Sequence, residues 1–196
     1  VTSYKVMNGE TDVTDSYTFG DSVNGTLTVN KRNVTLTSAT ASKTYDGTPL
    51  KNNTVNVTGD GFATGEGATY NVTGSQLEAG NSSNTFTYEL NEGTKTDNYN
   101  ITTEYGVLTV NKNTSEIVIT ANSSSKTYDG NALTDDGYTY TEGILAETDE
   151  LIATVEGTIT DFGSVDNVVT SYKVMNNGTD VTGSYTFGDS VNGTLT

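Results

Sequence analysis

Residues 1–28, VTSYKVMNGETDVTDSYTFGDSVNGTLT, return at 169–196 as VTSYKVMNNGTDVTGSYTFGDSVNGTLT, changed only at Gly9/Asn177, Glu10/Gly178 and Asp15/Gly183. Self-similarity at a fixed spacing constrains architecture before any residue is interpreted, because each repeat must be one packing unit or a fixed multiple of one. The spacing here is 168 residues, and a second echo halves it: Ser42-Lys43-Thr44-Tyr45-Asp46-Gly47-Thr48-Pro49-Leu50 recurs 83 residues on as Ser125-Lys126-Thr127-Tyr128-Asp129-Gly130-Asn131-Ala132-Leu133. A third marks where a unit ends, since Thr26-Leu27-Thr28-Val29-Asn30-Lys31 matches Val107-Leu108-Thr109-Val110-Asn111-Lys112 and Thr194-Leu195-Thr196 begins the phrase again. These marks divide the chain into the C-terminal half of a preceding repeat (1–31), a complete repeat (32–112) and a second repeat lacking its last residues (113–196). The chain reads as a window on a tandem array, in which residues 1–31 are completed by another chain or belong to a longer array.

A unit of this size buries a modest core and has ordinary, marginal stability on its own. Its residue types are those of strands and turns. Val34-Thr35-Leu36-Thr37 and Ile117-Val118-Ile119-Thr120 open the two repeats, and Thr54–Thr58, Thr69–Thr73 and Thr85–Leu90 alternate apolar and polar side chains, the period of a strand with one buried face. Turn signals separate them at Asp46-Gly47, Gly59-Asp60-Gly61, Gly65-Glu66-Gly67, Glu92-Gly93, Asp129-Gly130, Glu142-Gly143 and Asn177-Gly178. No window of helical length sustains apolar spacing of three and four. The nearest, Ile144–Leu151, corresponds to the glycine-rich Phe62–Gly67, so both read as a loop or single turn. The expected fold is all-β: tandem small antiparallel β-sandwich repeats, Ig-like, with a β-grasp as the alternative. The junctions Asn30-Lys31 and Asn111-Lys112 carry no flexible-linker composition, so the repeats are expected head to tail in a semi-rigid rod.

Composition removes whole classes of function. Cysteine and histidine are both absent, which takes away disulfides, thiolate chemistry, the usual general base and the commonest transition-metal ligand. The reading is therefore no enzyme and no cofactor. Nine basic residues against 25 acidic give a formal charge of -16, which repels nucleic-acid phosphates and anionic membrane surfaces and favours solubility and divalent cations. No apolar run approaches the roughly 20 residues a membrane helix needs. No signal peptide or wall-anchoring tail is visible, as expected of an interior window of an array.

Lys43-Thr44-Tyr45-Asp46-Gly47-Thr48-Pro49-Leu50, then Asp97-Asn98-Tyr99-Asn100-Ile101, then Gly106-Val107-Leu108-Thr109-Val110, resembles the YDG/MBG-type repeats of bacterial cell-surface adhesins. The second repeat keeps the order with Lys126–Leu133, Gly183-Ser184-Tyr185-Thr186-Phe187 and Gly193–Thr196. The resemblance implies an exported protein at the bacterial cell surface, in which such repeats form a stalk that projects a distal binding region. Its alternative is repeats that themselves bind mucin glycans or a host protein multivalently. In either case the partners include neighbouring repeats of the same array.

The recurring motif residues are Lys43, Tyr45, Asp46, Gly47, Lys126, Tyr128, Asp129 and Gly130. The plain reading of each triplet is a tight turn: glycine supplies positive φ, aspartate accepts backbone N–H groups, and tyrosine packs its ring beneath. The functional reading makes the aspartates calcium ligands, although no DxDxDG loop is present. Recurrence of Lys5, Lys43, Lys126 and Lys173 raises an intramolecular Lys-Asn or Lys-Asp isopeptide bond, which requires a buried lysine. Tyr17, Tyr99 and Tyr185 recur before the last strand as a structural tyrosine would, whereas Tyr138 and Tyr140 lack a counterpart in the other full repeat and are the candidates for exposure.

Overall fold

The computed structural model describes residues 1–196, which fall into two compact units, Val1–Lys31 and Arg32–Thr196. Threonine, valine and tyrosine favour the extended backbone, and strands dominate; helix is confined to three single 3-10 turns.

The first unit holds a hairpin of β1 (Met7–Asn8) and β2 (Thr11–Asp12), followed by a 3-10 turn at Thr14–Ser16. Gly9 takes the turn with φ +57, a left-handed conformation available to glycine and, at lower cost than other residues, to asparagine. That explains why the matching position is Asn177, with φ 46. Tyr17–Lys31 contains no strand.

In the second unit, the 32–112 repeat contains β3 (Arg32–Ser38), β4 (Ala41–Thr44), β5 (Val55–Gly59), β6 (Ala68–Val72), β7 (Gly80–Ser83), β8 (Phe86–Leu90), β9 (Tyr99–Glu104) and β10 (Val107–Asn111). They form the sheets β5-β3-β9 and β4-β10-β7 and the ladder β6-β8. The chain that enters as β3 crosses to the other sheet as β4. Val34 and Leu36 turn inward from β3 and meet Phe86 and Tyr99, with Phe62, Tyr70 and Ile101 around them. The 113–196 repeat contains β11 (Asn113–Ile117), β12 (Ile119–Ala121), β13 (Tyr138–Tyr140), β14 (Asp149–Glu156), β15 (Val165–Asn176), β16 (Thr179–Asp180), β17 (Tyr185–Phe187) and β18 (Gly193–Leu195). Its largest ladder is β14 with β15, antiparallel, and β15 also pairs with β16 and β18.

Not all pairing is antiparallel. The opening strands of each repeat lie parallel to its closing ones: β3 with β9, β4 with β10, and β11 with β17. The long chain between them supplies the crossover that parallel pairing needs.

A buried asparagine recurs in both repeats. Asn84 Nδ2 donates to the carbonyls of Ala39 (2.9 Å) and Asn52 (2.8 Å). Asn167 Nδ2 donates to those of Asn122 (2.9 Å) and Asp135 (2.8 Å). Both residues are fully buried, and each tacks two loop carbonyls that no ladder satisfies. A Cβ at Gly74 or Gly157 would strike the asparagine side chain, so those glycines make room for it. Asn167→Ala is expected to lower stability by about 2 kcal/mol, because two part-buried carbonyls lose their donor; urea denaturation provides the measurement.

Candidate functional site at the repeat joint

The Lys-Thr-Tyr-Asp-Gly motif of the first repeat begins in the last two residues of β4, and it builds the same local clip in both repeats. Asp46 Oδ1 accepts the Thr48 backbone N–H at 2.9 Å and Lys43 Nζ at 2.6 Å, and the ammonium also donates to the Thr48 carbonyl at 2.6 Å. Asp129 Oδ1 accepts the Asn131 N–H at 3.0 Å and Lys126 Nζ at 2.7 Å, with Lys126 reaching the Asn131 carbonyl at 2.7 Å. Gly47 and Gly130 close the turns with φ +80 and +81, where an L side chain is strained. The turn reading of the aspartates and glycines therefore describes their local geometry.

The lysine ammonium, and then the Thr48 groups, hold the Asp46 carboxyl at about 2, and Lys126 draws Asp129 below the ordinary range in the same way. A folded-state value below the roughly 3.9 of a free aspartate means that the clip's contribution is complete above about pH 4 and is lost as pH falls toward 2. An NMR titration of the Asp46 carboxyl is expected to show this low value, and Lys43→Met is expected to raise it part of the way, since the Thr48 N–H and hydroxyl still hold the carboxylate.

The tyrosines of the two motifs differ. Tyr45 is 3% exposed and Tyr128 67%. Tyr45 does not pack beneath its own turn as the motif suggests. It crosses to the second repeat, where its ring meets Tyr185 edge-on, with centroids 5.3 Å apart. Its hydroxyl donates to Asp149 Oδ2 at 2.7 Å, and the Tyr185 hydroxyl donates to the same oxygen at 2.8 Å. The Gly47 carbonyl accepts Asn176 Nδ2 at 2.9 Å. Ser184 Oγ accepts the Ala79 N–H at 2.8 Å. One apolar cluster runs across the joint, with Tyr45 and Val110 from the first repeat and Ile117, Leu151, Val174, Val181 and Tyr185 from the second; Leu50, Leu77, Ile144 and Leu145 pack against it.

Burial comes first, and the adjacent Asp149 carboxylate adds to it, in pushing the Tyr45 hydroxyl well above the ordinary phenol value. Tyr185 is raised as well, again chiefly by burial. Gly47 lies against the second repeat so closely that a Cβ there would be 2.5 Å from Thr148 Oγ1 and 2.7 Å from Ala146 Cβ, while one at Gly130 would meet nothing. The motif of the first repeat is thus a plug, and the 144–149 loop with Asn176, Ser184 and Tyr185 is its socket.

Asp149, Asn176 and Ser184 escaped the sequence reading. A signal for Asp149 did exist: Ala146 and Asp149 stand 83 residues after Ala63 and Glu66, so the position is acidic in both repeats. Of the two tyrosines expected at the surface, Tyr140 is there and Tyr138 is not. Tyr138 is half-buried and donates to the Leu151 carbonyl at 3.0 Å. Tyr140 is exposed, but Tyr128 and Phe162 are far more so. Asp46 and Asp129 are each engaged by a lysine, and no group of three or more His, Cys, Asp or Glu side chains is placed to hold a metal ion. Lys43 and Lys126 keep 21% and 26% of their side chains exposed, and Lys5 and Lys173 are exposed outright, so none has the burial that an isopeptide bond requires. Compared with protein-family models, curated proteins and solved structures, the chain finds no match.

Proposed function

We propose that this chain is a structural spacer: Ig-like β repeats of the YDG/MBG type, from the stalk of a bacterial surface adhesin, that hold a distal binding region away from the cell. The observation that carries this reading is the joint. A spacer must resist bending between its modules, and in this chain Tyr45 reaches into the neighbouring repeat, with a carboxylate shared by two phenols and an apolar core common to both repeats. Such an interface restricts inter-repeat motion, where a polar or linker-connected pair would rotate freely. The acidic surface, -16 overall, suits a soluble array whose neighbours must not aggregate. Absence of histidine and cysteine fits a role without catalysis.

The competing role, in which the repeats themselves bind mucin glycans, separates from this one on a glycan array and a mucin-coated surface probed with the folded chain. The spacer reading expects no retention. Specific retention that is lost on Phe162→Ala, a change at a fully exposed aromatic, would replace it with the binding role.

A further inference from the structure

The first repeat's plug is seated, but the second repeat carries an equally formed plug that is bare. Its clip is built as in the first repeat, with Lys126 on Asp129, yet Tyr128 and Phe162 are exposed and line an open groove with Leu133 and Ile159. Two exposed aromatics lining one groove, Tyr128 on a preformed turn and Phe162 on a separate loop, mark an interaction surface.

The matching socket is present in the first repeat. Ala63 N donates to the Tyr99 hydroxyl at 3.0 Å, as Ala146 N does to that of Tyr185 at 2.9 Å. The Tyr99 hydroxyl donates to Glu66 Oε2 at 2.5 Å, as Tyr185 does to Asp149 Oδ2 at 2.8 Å. Asp149 takes a second phenol, from Tyr45, whereas Glu66 takes only that of its own repeat. The order of repeats along the chain agrees: Thr26–Lys31, the closing phrase of a repeat whose other residues match 169–196, runs directly into Arg32. A repeat of the second kind is therefore followed by one of the first kind.

We propose that the Tyr128–Gly130 plug docks on the Ala63–Glu66–Tyr99 socket of another copy of the first repeat, with the Tyr128 hydroxyl donating to the Glu66 carboxylate and Gly130 against the Ala63–Gly65 loop. The substitutions between the two joints fit. Ile144 and Thr148 of the occupied socket correspond to Gly61 and Gly65, while Ala79 of the seated plug corresponds to Phe162, so bulk moves from socket to plug. In an array the two partners are joined covalently and meet at high effective concentration; between separate chains the same contact is weaker. Because plug and socket are different surfaces, association is head to tail and open-ended.

This inference rests on the tandem-spacer reading for the order of repeats, and its test is separate. Sedimentation of the 196-residue chain up to millimolar concentration is expected to show average mass rising with concentration. Tyr128→Asp, at an exposed site, removes the plug. Thr64→Arg, on the exposed rim of the socket, and Glu66→Lys remove the partner surface, with circular dichroism confirming that each variant is folded. Each variant alone is expected to remain monomeric, and a mixture of Tyr128→Asp with Thr64→Arg is expected to form dimers and nothing larger, since one free plug and one free socket remain. A wild-type chain that stays monomeric at millimolar concentration, or association that persists in both kinds of variant, would overturn the docking while leaving the rigidity of the 32–196 pair to its own measurement.

Discussion

Gly47→Ala is expected to destabilise the chain by about 3 kcal/mol, whereas Gly130→Ala costs about 1 kcal/mol, although both glycines adopt the same left-handed conformation. The two turns have φ +80 and +81 and the same lysine–aspartate clip, so the strain of placing a Cβ there cancels in the comparison. What remains is space. At Gly47 the new methyl would stand 2.5 Å from Thr148 Oγ1 and 2.7 Å from Ala146 Cβ, and at Gly130 it would meet nothing. The loop it strikes carries Asp149, so the methyl pushes apart the contacts made by Tyr45 and Asn176. Urea denaturation of the two variants gives the difference directly. Equal costs at the two glycines would mean that the first motif is only a turn.

Asp149→Leu is expected to be the most damaging substitution at the joint, costing about 4 kcal/mol, because it leaves several buried donors with no acceptor. The Tyr45 and Tyr185 hydroxyls both donate to Oδ2, and Asn176 Nδ2 donates to Oδ1. Tyr45→Phe removes one charge-assisted bond and leaves the carboxylate with its other partners, so about 1 to 2 kcal/mol is expected there. A double-mutant cycle on these two positions should return a coupling well above the few tenths of a kcal/mol typical of independent sites. The same pair sets an alkaline limit. Folded-state phenol values raised above the ordinary one mean that the joint's contribution is complete below about pH 10 and is lost as pH rises past it. Ultraviolet titration should find Tyr45 and Tyr185 resisting ionisation until the joint opens.

How much of this was legible in the sequence is shown by the 28-residue segment that occurs twice. Its local features form wherever it stands. The hairpin Met7–Asp12 has its twin in Met175–Asp180. The Val13 N–H donates to the Val6 carbonyl at 2.9 Å, and Val181 does so to Val174 at 2.8 Å. The Asp12 carboxylate accepts the Thr14 N–H at 3.0 Å, as Asp180 does from Thr182 at 3.0 Å. These contacts span a few residues, and turn chemistry dictates them. The rest of the segment depends on neighbours. Tyr185 is 1% exposed and Leu195 is fully buried, because β17 lies on β11 and β18 on β15. Tyr17 is 58% exposed and Leu27 wholly so, in a unit whose only strands are β1 and β2. An identical sequence thus makes a strand or none according to the partners beside it.

The same division runs through the functional site. The Asp46-Gly47 and Asp129-Gly130 turns were readable because each aspartate accepts a backbone N–H only two residues on, whereas the lysine that joins each turn was not read as its partner. The contact between Tyr45 and Asp149 spans 104 residues and joins one repeat to the next, which no local pattern encodes. Parallel pairing of opening and closing strands was hidden for the same reason, as alternation reports which face is buried and says nothing of the neighbour's direction.

The central claim is that the motif of one repeat locks it to the next. Residual dipolar couplings of the backbone amides, recorded on the whole chain in a weakly aligning medium, measure that claim directly. If Tyr45, Gly47 and Asp149 hold the joint closed, residues 32–112 and 113–196 share one alignment tensor, equal in magnitude and orientation. Two tensors of different magnitude would show the repeats reorienting independently and would contradict the account.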